Sequence, residues 1–535
     1  MLYSMEWLQQ GRMFPPECEI SRIKRYRENQ ALFESDHFDD PAFRHYDPLD
    51  LAPFDGYLTM YKKCAERIQR VIGNFEEVVS FPTLLNYQRL MSVKAADLVC
   101  GEPPMITGSK PEENEQILDV RDYVDFDEKL YSTVIDISRY GDAVWRYYKD
   151  DRGQFTFTCW NPIEWYPIVS QDGTRTIVKH CLAWRVNIQP DPQQSPIWNL
   201  HVQIHGCKPN EVGHYTHQIY EMGGDGRTIG KLISSTDVLT GLDVCAVRHV
   251  KAFSTSNTIY GYDDYMPIDS VLAEIMVRIG QISVILDKHA DPNITGPVSM
   301  LHKDPTTGEL TLQAGKFFAV SQGEMKPEYM TWDGQLNAAF KEIEMLLNQL
   351  YILSEMGAAL LGEQGGSGQA ISGTAMRFKM VNPLAKVRRI ANSLTRPVKE
   401  MFAVLTRDNL GDDSASATPV EYKNISVFWS DGLPDDPREN IENAKLATGA
   451  TKMMPLKTAI REYFQRTDGE AQEWLNDIAQ ENEASMELQR KFIQPQEKDP
   501  NHSGPQDGTG VNPYKNGSQT GLNKFKSDGN KKDGE

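Results

Sequence analysis

The spacing of apolar residues changes along the chain, and each change predicts a change of secondary structure. From Tyr61 to about Tyr140 they recur at intervals of three and four, the spacing of amphipathic helices. From Val144 the interval becomes two, and strand-like runs alternate with turn dipeptides such as Asp172-Gly173. The later predicted strands are FTFTCW, TIVKHCLAWRV, WNLHVQIH, HYTHQIYEM and LDVCAVRHV. A helical start followed by an antiparallel meander predicts an α+β fold.

Two helices with a regular apolar seam follow the meander. The first begins near Met266 and stops at Asp291-Pro292, and the second runs from Leu336 to about Ser354. Between them lie about 45 residues with short strand-like runs and glycine turns. The pattern predicts a helical hairpin with a small β module at its far end, or an ordinary hairpin within one subunit. The seam residues are Ile268, Leu272, Ile275, Ile279 and Ile282 in the first helix and Phe340, Ile343 and Leu347 in the second.

A glycine-rich segment, LLGEQGGSGQAISGTA, follows the hairpin. Such a composition is typical of a flexible loop, functional or a plain linker, and both interpretations remain open. Its central residues are Gly362, Glu363, Gln364, Gly365, Gly366, Ser367, Gly368 and Gln369. A long helix is predicted after it, from about Thr374 to Arg407, with kinks at Pro383 and Pro397.

Charge distinguishes this long helix from the rest of the chain. The chain has 75 acidic and 56 basic residues, a net charge of −19, which argues against nucleic-acid binding over the whole surface. From Gly373 to Lys399, however, there are seven basic residues and no acidic one. The basic candidates are Arg377, Lys379, Lys386, Arg388 and Arg389. They form either a solvated face that pairs with acidic surface of the same or a neighbouring chain, or a local face toward DNA.

The remaining sequence predicts structure but no chemistry. A strand, ISVFWS, begins at Ile425, acidic amphipathic helices extend from Pro434 to about Phe492, and the tail after Gln494 has too few apolar residues to fold. The seven cysteines are odd in number and lack a C-x-x-C pair, so reduced, mostly buried thiols are expected rather than a zinc site or disulfides. No run approaches the roughly 18 apolar residues of a membrane span, and no signal-peptide layout occurs, so a cytoplasmic protein is expected.

Motifs for catalysis are missing. Gly365-Gly366-Ser367-Gly368 resembles a phosphate-binding loop only loosely, because the required lysine does not follow. H-E-x-x-H and G-x-S-x-G do not occur. His201 and His205 share one face of a predicted strand, but without further nearby ligands they are better explained as a surface or hydrogen-bonded pair than as a metal site. We therefore assign no catalytic residue, cofactor or metal, and expect that the protein is not an enzyme.

The order of these parts resembles the portal proteins of tailed bacteriophages, particularly the family found in long-tailed phages of Gram-positive hosts. NYQRLMSVKAADLVCGEPPMI (86–106) is similar to the family's helix that ends in a Gly-x-Pro turn. SRYGDAVWRYYKDDRGQFTFTCWNPIEWYPIVSQDG (138–173) is similar to its hairpin and Pro-rich turn, and SGTAMRFKM (372–380) to the start of its long helix. The resemblance covers roughly Leu84 to Ile478.

The resemblance implies an α+β portal fold with named parts. These are an amino-terminal arm and wing start (1–83), a wing (84–265), stem helices (266–290 and 336–357), a clip (291–335), a tunnel loop (358–373), a kinked long helix (374–410), a wing return strand (411–434), a helical crown (435–492) and a disordered tail (493–535).

It also implies a function. Such proteins form a homo-oligomeric ring of about twelve subunits at one capsid vertex, through which double-stranded viral DNA is packaged, retained and ejected. The implied partners are a terminase motor, a head-tail adaptor, and capsid and scaffolding proteins, without a membrane. The ring would assemble in host cytoplasm and end in the virion. The alternatives are a non-portal virion scaffold or adaptor that binds proteins through the hairpin, and a nucleic-acid enzyme with divergent motifs.

Overall fold

The computed structural model describes residues 1–34, 85–191, 194–290, 294–295, 301–303, 310–312, 323, 328–329, 336–361, 378–408, 419–430, 437–449, 453–464, 466 and 468–493. These form two compact units, Met1–Asn440 and Ile441–Glu535. Several predictions lie outside the described residues: the helical pattern at 61–84, much of the segment 291–335, the glycine-rich loop with Arg377, and the tail after Gln494.

The first unit combines helices with antiparallel sheets, so the described chain is α+β as predicted. Its helices are α1 (Ile20–Glu34), α2 (Tyr87–Cys100), α3 (Pro111–Tyr123), α4 (Phe126–Tyr140), α5 (Asp269–Ala290), α6 (Leu336–Leu353), α7 (Gly357–Leu360) and α8 (Val381–Asp408). Its strands are β1 (Met105–Thr107), β2 (Asp142–Lys149), β3 (Phe155–Trp160), β4 (Trp165–Val169), β5 (Ile177–Asn187), β6 (Trp198–Gly206), β7 (His214–Met222), β8 (Ile229–Leu239), β9 (Val247–Lys251), β10 (Ile294–Thr295), β11 (Leu301–Lys303), β12 (Leu310–Leu312), β13 (Glu328–Tyr329) and β14 (Ser426–Phe428).

Local sequence explains where the helices begin and end. The Asn86 side chain accepts a hydrogen bond of 2.8 Å from the Arg89 N–H and caps α2. At the start of α3 the Glu113 carboxylate accepts backbone hydrogen bonds from Ser109 and Lys110. Helix α4 ends at Gly141, whose φ of +82° favours glycine.

The strands form two main sheets. Strands β4 to β8 pair in sequence order as a five-stranded antiparallel meander, and β2 lies between β3 and β9 in a three-stranded sheet. Two differences from the expected strands stand out. The predicted strand LDVCAVRHV is extended only from Val247, and β8 was not predicted from the sequence.

Each sheet is covered by a separate hydrophobic core. The three-stranded sheet packs with α3, α4 and α8, and Phe126 meets Phe402 with ring centroids 5.1 Å apart. The five-stranded sheet is covered by the amino-terminal segment, where Trp7 and Phe14 pack on Tyr166 at 5.5 and 5.4 Å. The first 34 residues are thus part of this subunit's own sheet packing.

The segment between the hairpin helices contributes two small antiparallel pairs. Strand β10 pairs with β13, and β11 pairs with β12. Strand β14 pairs with β1, so the chain after α8 returns to the strand between α2 and α3.

The second unit is helical in its described part. Helix α9 (Pro437–Thr448) spans the division between the units, and α10 (Leu456–Phe464) and α11 (Asp468–Ile493) follow it. Phe464 and Trp474 bring these last two helices together, with ring centroids 5.9 Å apart. None of the helices in the described ranges is long and apolar enough to cross a membrane.

Candidate functional site

The base of the helical hairpin is anchored in a buried cluster. Ile268, just before α5, and Leu272 and Ile275 of α5 are fully buried and pack with Met91 of α2 and Leu350 of α6. Of the other predicted seam residues, Ile279 and Leu347 pack against this cluster and Ile282 is buried. The apolar spacing therefore identifies the side chains that join α5 to α6 and α2.

Outside this buried cluster, several large apolar side chains of the hairpin are exposed to solvent. Phe340 was expected in the seam, but it is 53% exposed in the single chain, and half-buried Ile343 lies outside the cluster. Leu286, Met345 and Ile352 are also exposed. Both helices thus carry apolar surface that the described part of the chain leaves exposed.

An ion pair joins the two hairpin helices across this region. The Arg278 guanidinium on α5 lies 2.8 Å from the Glu342 carboxylate on α6 and 3.2 Å from Glu274 one turn back. All three side chains are partly exposed, so water screens the pair and its contribution to stability is small.

The long helix is tied to the hairpin by a buried lysine. The Lys386 ammonium lies 2.8 Å from the Asp264 carboxylate, and it donates a hydrogen bond of 3.2 Å to the Ser354 carbonyl. The Lys386 side chain is only 4% exposed. Lys386 was predicted as part of a basic face toward DNA or a neighbour. It is instead directed into its own chain, because Asp264 just before the hairpin and Ser354 just after it both supply acceptors.

This contact continues into a polar network between the helices. The Ser138 hydroxyl of α4 donates to Asp264 at 2.7 Å, and it accepts from Ser92 of α2 at 2.9 Å. Ser92 also shares a hydrogen bond of 2.7 Å with the Tyr265 hydroxyl. One connected set of hydrogen bonds therefore spans α2, α4, the start of the hairpin and α8.

Of the other described basic residues, Lys379 precedes α8, and Arg388, Arg389 and Arg396 lie on its exposed face. Arg388 and Arg389 are exposed, and Arg389 forms an ion pair with Glu355. Arg396 pairs with Glu400 at 2.7 Å, one turn along the same helix. Within the described ranges, exposed Lys379 and Arg388 have no acidic partner. The basic run thus includes one buried lysine, two arginines in ion pairs and two exposed cations without an acidic partner among the described residues.

The residues that flank the glycine-rich segment approach each other. An added Cβ at Gly357 would lie 3.7 Å from the Lys379 carbonyl oxygen. Leu361, the last described residue before the segment, is buried in the hairpin cluster. Gly362 to Gln369 themselves lie outside the described residues.

The two histidines singled out in the sequence occupy different surroundings. His201 contacts His217 at 3.3 Å and stacks on Trp184, whereas His205 is buried against Tyr215, with ring centroids 4.7 Å apart. Burial lowers the pKa of His205 to about 3. Both are held within the five-stranded sheet by packing.

The sequence did not indicate a cavity of about 970 Å³ between β5, β9 and α8. Two thiols, Cys207 and Cys245, and the His180 imidazole line it, with their polar atoms all within 4.8 Å of one another. The cysteines are 38 residues apart and belong to no motif, so only the packing of the two sheets against each other brings them together.

A comparison of the sequence with known protein families finds a match. A family model described as phage portal protein, SPP1 Gp6-like, matches residues 83–180 and 326–484. The first range contains α2, α3 and α4, and the second contains α6 to α10 and the first part of α11. No curated protein matches the chain.

Proposed function

The chain belongs to the phage portal protein family, SPP1 Gp6-like, and we propose that its subunits form the ring-shaped channel through which viral DNA enters and leaves the capsid. One observation carries the proposal. The family match includes α2, on which the hairpin is anchored, α6, which is the second helix of the hairpin, and α8, which Lys386 ties to the hairpin. The family is structural rather than catalytic.

Uncovered apolar surface on the hairpin supports ring formation. Leu286 of α5 and Phe340, Met345 and Ile352 of α6 are each more than half exposed, and exposed apolar surface is what a contact with another protein chain covers. In a cyclic ring each subunit applies one face to a different face of its neighbour. We assign this surface of the stem, residues 266–290 and 336–357, to the contact between neighbouring subunits.

The loop at 358–373 forms the narrowest part of the proposed channel. DNA that slides must not be held by fixed cations, because each phosphate contact adds binding free energy that is lost at every step. The segment Gly362 to Gln369 has four glycines and one charged residue, Glu363. Its glycines permit changes of shape as the DNA surface passes, while Gln364, Ser367 and Gln369 offer transient hydrogen bonds. Such a collar slows backward slippage of DNA.

The basic face of α8 serves contacts between subunits in this proposal. Arg389 already pairs with Glu355, and Arg388 next to it is open among the described residues. The chain as a whole carries a net charge of −19, so a neighbour offers abundant acidic surface. In the alternative, the basic face is directed at DNA from a distance, and reversal of its charge impairs DNA retention rather than ring assembly.

The remaining partners follow from the proposed position at one capsid vertex. The clip, residues 291–335, would face outward and receive the terminase motor during packaging and the head-tail adaptor afterwards. The wing and the crown, residues 435–492, would contact capsid and scaffolding proteins while the ring assembles in host cytoplasm. The force that moves DNA comes from the separate terminase ATPase.

The number of subunits in solution tests the proposal. Light scattering on the purified full chain should give a mass near 730 kDa, about twelve times the 60.6 kDa of one chain. A monomer or dimer at micromolar concentration would contradict the channel and would favour an adaptor that binds other proteins through the hairpin.

A further inference from the structure

Two thiols on separate sheets lie in direct contact. Cys207 directly follows β6 in the five-stranded sheet, and Cys245 precedes β9 in the three-stranded sheet. Their sulfur atoms are 3.3 Å apart, with the Cys207 S–H donating to the Cys245 sulfur. The sulfurs of a disulfide are about 2.05 Å apart, so a bond requires these two to approach by only a little over ~1 Å.

The pair is accessible to small molecules. Both side chains are half-buried, and both line the cavity between β5, β9 and α8. Arg175, Arg248 and Lys251 also line this cavity, so its wall is rich in positive charge. A small anionic oxidant such as oxidised glutathione can approach the thiols from this side.

The surroundings make one of the two thiols the nucleophile. The hydrogen bond from Cys207 lowers the pKa of Cys245, and the Val247 N–H and the Arg248 charge act in the same direction against the effect of burial. The same hydrogen bond raises the pKa of Cys207, which keeps its proton. Thiols with a lowered pKa at a positively charged, accessible site are the reactive ones in proteins.

The neighbouring imidazole does not complete a metal site in this arrangement. His180 Nδ1 accepts a hydrogen bond of 2.9 Å from the Trp165 indole N–H. A neutral imidazole that accepts at Nδ1 carries its proton at Nε2, so neither nitrogen has a free lone pair for a metal. Metal-bound histidines instead donate from the second nitrogen to an acceptor.

We propose that Cys207 and Cys245 form a reversible disulfide that staples the five-stranded sheet to the three-stranded sheet when the protein meets an oxidising disulfide. The Cys245 thiolate attacks one sulfur of oxidised glutathione, which releases one glutathione thiolate. Cys207 then gives up its proton and attacks the Cys245 sulfur, which releases the second glutathione. Two thiols are thereby oxidised, one small disulfide is reduced, and the protons pass to the two glutathiones.

The staple closes a loop that contains strands β7 and β8. A link across 38 residues restricts the unfolded chain and stabilises the folded one. The reducing cytoplasm keeps such a pair open, and an extracellular environment closes it. The bond would therefore strengthen this part of the subunit after release from the host.

Oxidation of the purified full chain with glutathione disulfide tests the proposal. After alkylation of free thiols and proteolysis, mass spectrometry should find the peptides of Cys207 and Cys245 linked, with the loss of two hydrogens. The linked protein should unfold at a temperature several degrees higher, and dithiothreitol should reverse both effects. Recovery of both thiols as alkylated products would refute the proposal, as would a link to Cys181.

Single substitutions separate the role of Cys245, the nucleophile, from the role of Cys207, which closes the disulfide. Cys207→Ala should leave Cys245 as a mixed disulfide with glutathione, because the second thiol is missing. Cys245→Ala should leave Cys207 unmodified over the same time, because the nucleophile is missing. The matched control is Cys18→Ser, an exposed thiol elsewhere, which should not change the link. Zinc at one equivalent per chain that protects both thiols in the wild-type protein would overturn the disulfide and assign a metal site.

Discussion

The ammonium group of Lys386 is held entirely by its own subunit. It contacts the Asp264 carboxylate and the Ser354 carbonyl, and almost none of it reaches water. Removing one member of a buried ion pair leaves the other charge without its partner, which costs more than the pair itself contributes. This side chain therefore acts as the link between the long helix and the hairpin.

Lys386→Met should lower the free energy of unfolding by about 3 kcal/mol. Adding Asp264→Asn should recover part of this loss, because the unpaired carboxylate is then gone. The comparison is made by urea unfolding at a fixed protein concentration. The matched control, Lys379→Met, changes an exposed lysine near the same helix end and should have an effect below about 0.5 kcal/mol. Equal effects of the two substitutions would show that the buried contact is not important.

The sequence shows that the run is basic, but it does not show which of its residues are buried, which are paired and which are exposed. Seven cations without an acidic residue predict one charged face. Burial of Lys386 depends on Asp264 and Ser354, which approach it only because the hairpin begins and ends beside α8. A side chain's partners at such distances in sequence are set by tertiary structure, and no local pattern encodes them.

The pKa of His205 ties stability to pH. Burial lowers it to about 3, below the value of about 6.5 expected for the unfolded chain. Between these values the unfolded chain binds more protons, so stability decreases as the pH falls below about 6.5. His180 acts in the same direction, whereas the pKa of Asp136, raised to about 6 by burial, acts in the opposite one.

His205→Phe preserves a ring against Tyr215 and removes the titrating group. The stability lost between pH 7 and pH 5 should therefore be smaller in the variant by about 2 kcal/mol. Urea midpoints at the two pH values provide the measurement. Identical pH dependence in wild type and variant would mean that the pKa of His205 is the same in the folded and the unfolded protein.

At the scale of elements, the hairpin shows which contacts hold two helices together. Ile275 is fully buried in the cluster with α2 and α6, whereas Arg278 one turn later pairs with Glu342 in partly exposed surroundings. Burial of apolar surface and close packing dominate over a screened ion pair. The helices should therefore respond very differently to loss of the two side chains.

Ile275→Ala should lower the free energy of unfolding by about 3 kcal/mol, because it leaves a cavity in the cluster. Arg278→Gln, the matched substitution on the same helix, should lower it by less than about 1 kcal/mol. Thermal unfolding followed by circular dichroism compares them. A larger effect at Arg278 would mean that the ion pair, not the seam, joins the hairpin.

Periodicity in the sequence predicted the hairpin helices because a packed seam repeats every few residues. It failed for β8, because the apolar residues of IGKLISSTDVL do not alternate with polar ones and its side chains are mostly exposed at the sheet edge. It also could not pair β1 with β14, since these strands are more than 300 residues apart. Phe340 fitted the seam spacing but lies beyond the cluster that buries the seam.

At the scale of the whole molecule, the exposed basic residues of α8 contact either a neighbouring subunit or DNA, and charge reversal separates the two. Arg388→Glu together with Arg389→Glu reverses the outer basic face while the buried Lys386 stays in place. If this face meets acidic surface of a neighbour, the double variant should reduce ring assembly, measured by light scattering.

The matched control is Arg12→Glu with Lys24→Glu, the same change of charge on exposed residues of the amino-terminal segment. It should leave assembly unchanged. Intact rings of the α8 variant combined with impaired DNA retention would instead direct the basic face toward DNA.

The central claim is that this chain closes into a ring around a channel, and the projected shape of the purified protein tests it most directly. Class averages from electron microscopy should show closed rings of about twelve subunits with a central hole. Compact particles of one or two chains, without a hole, would contradict the account.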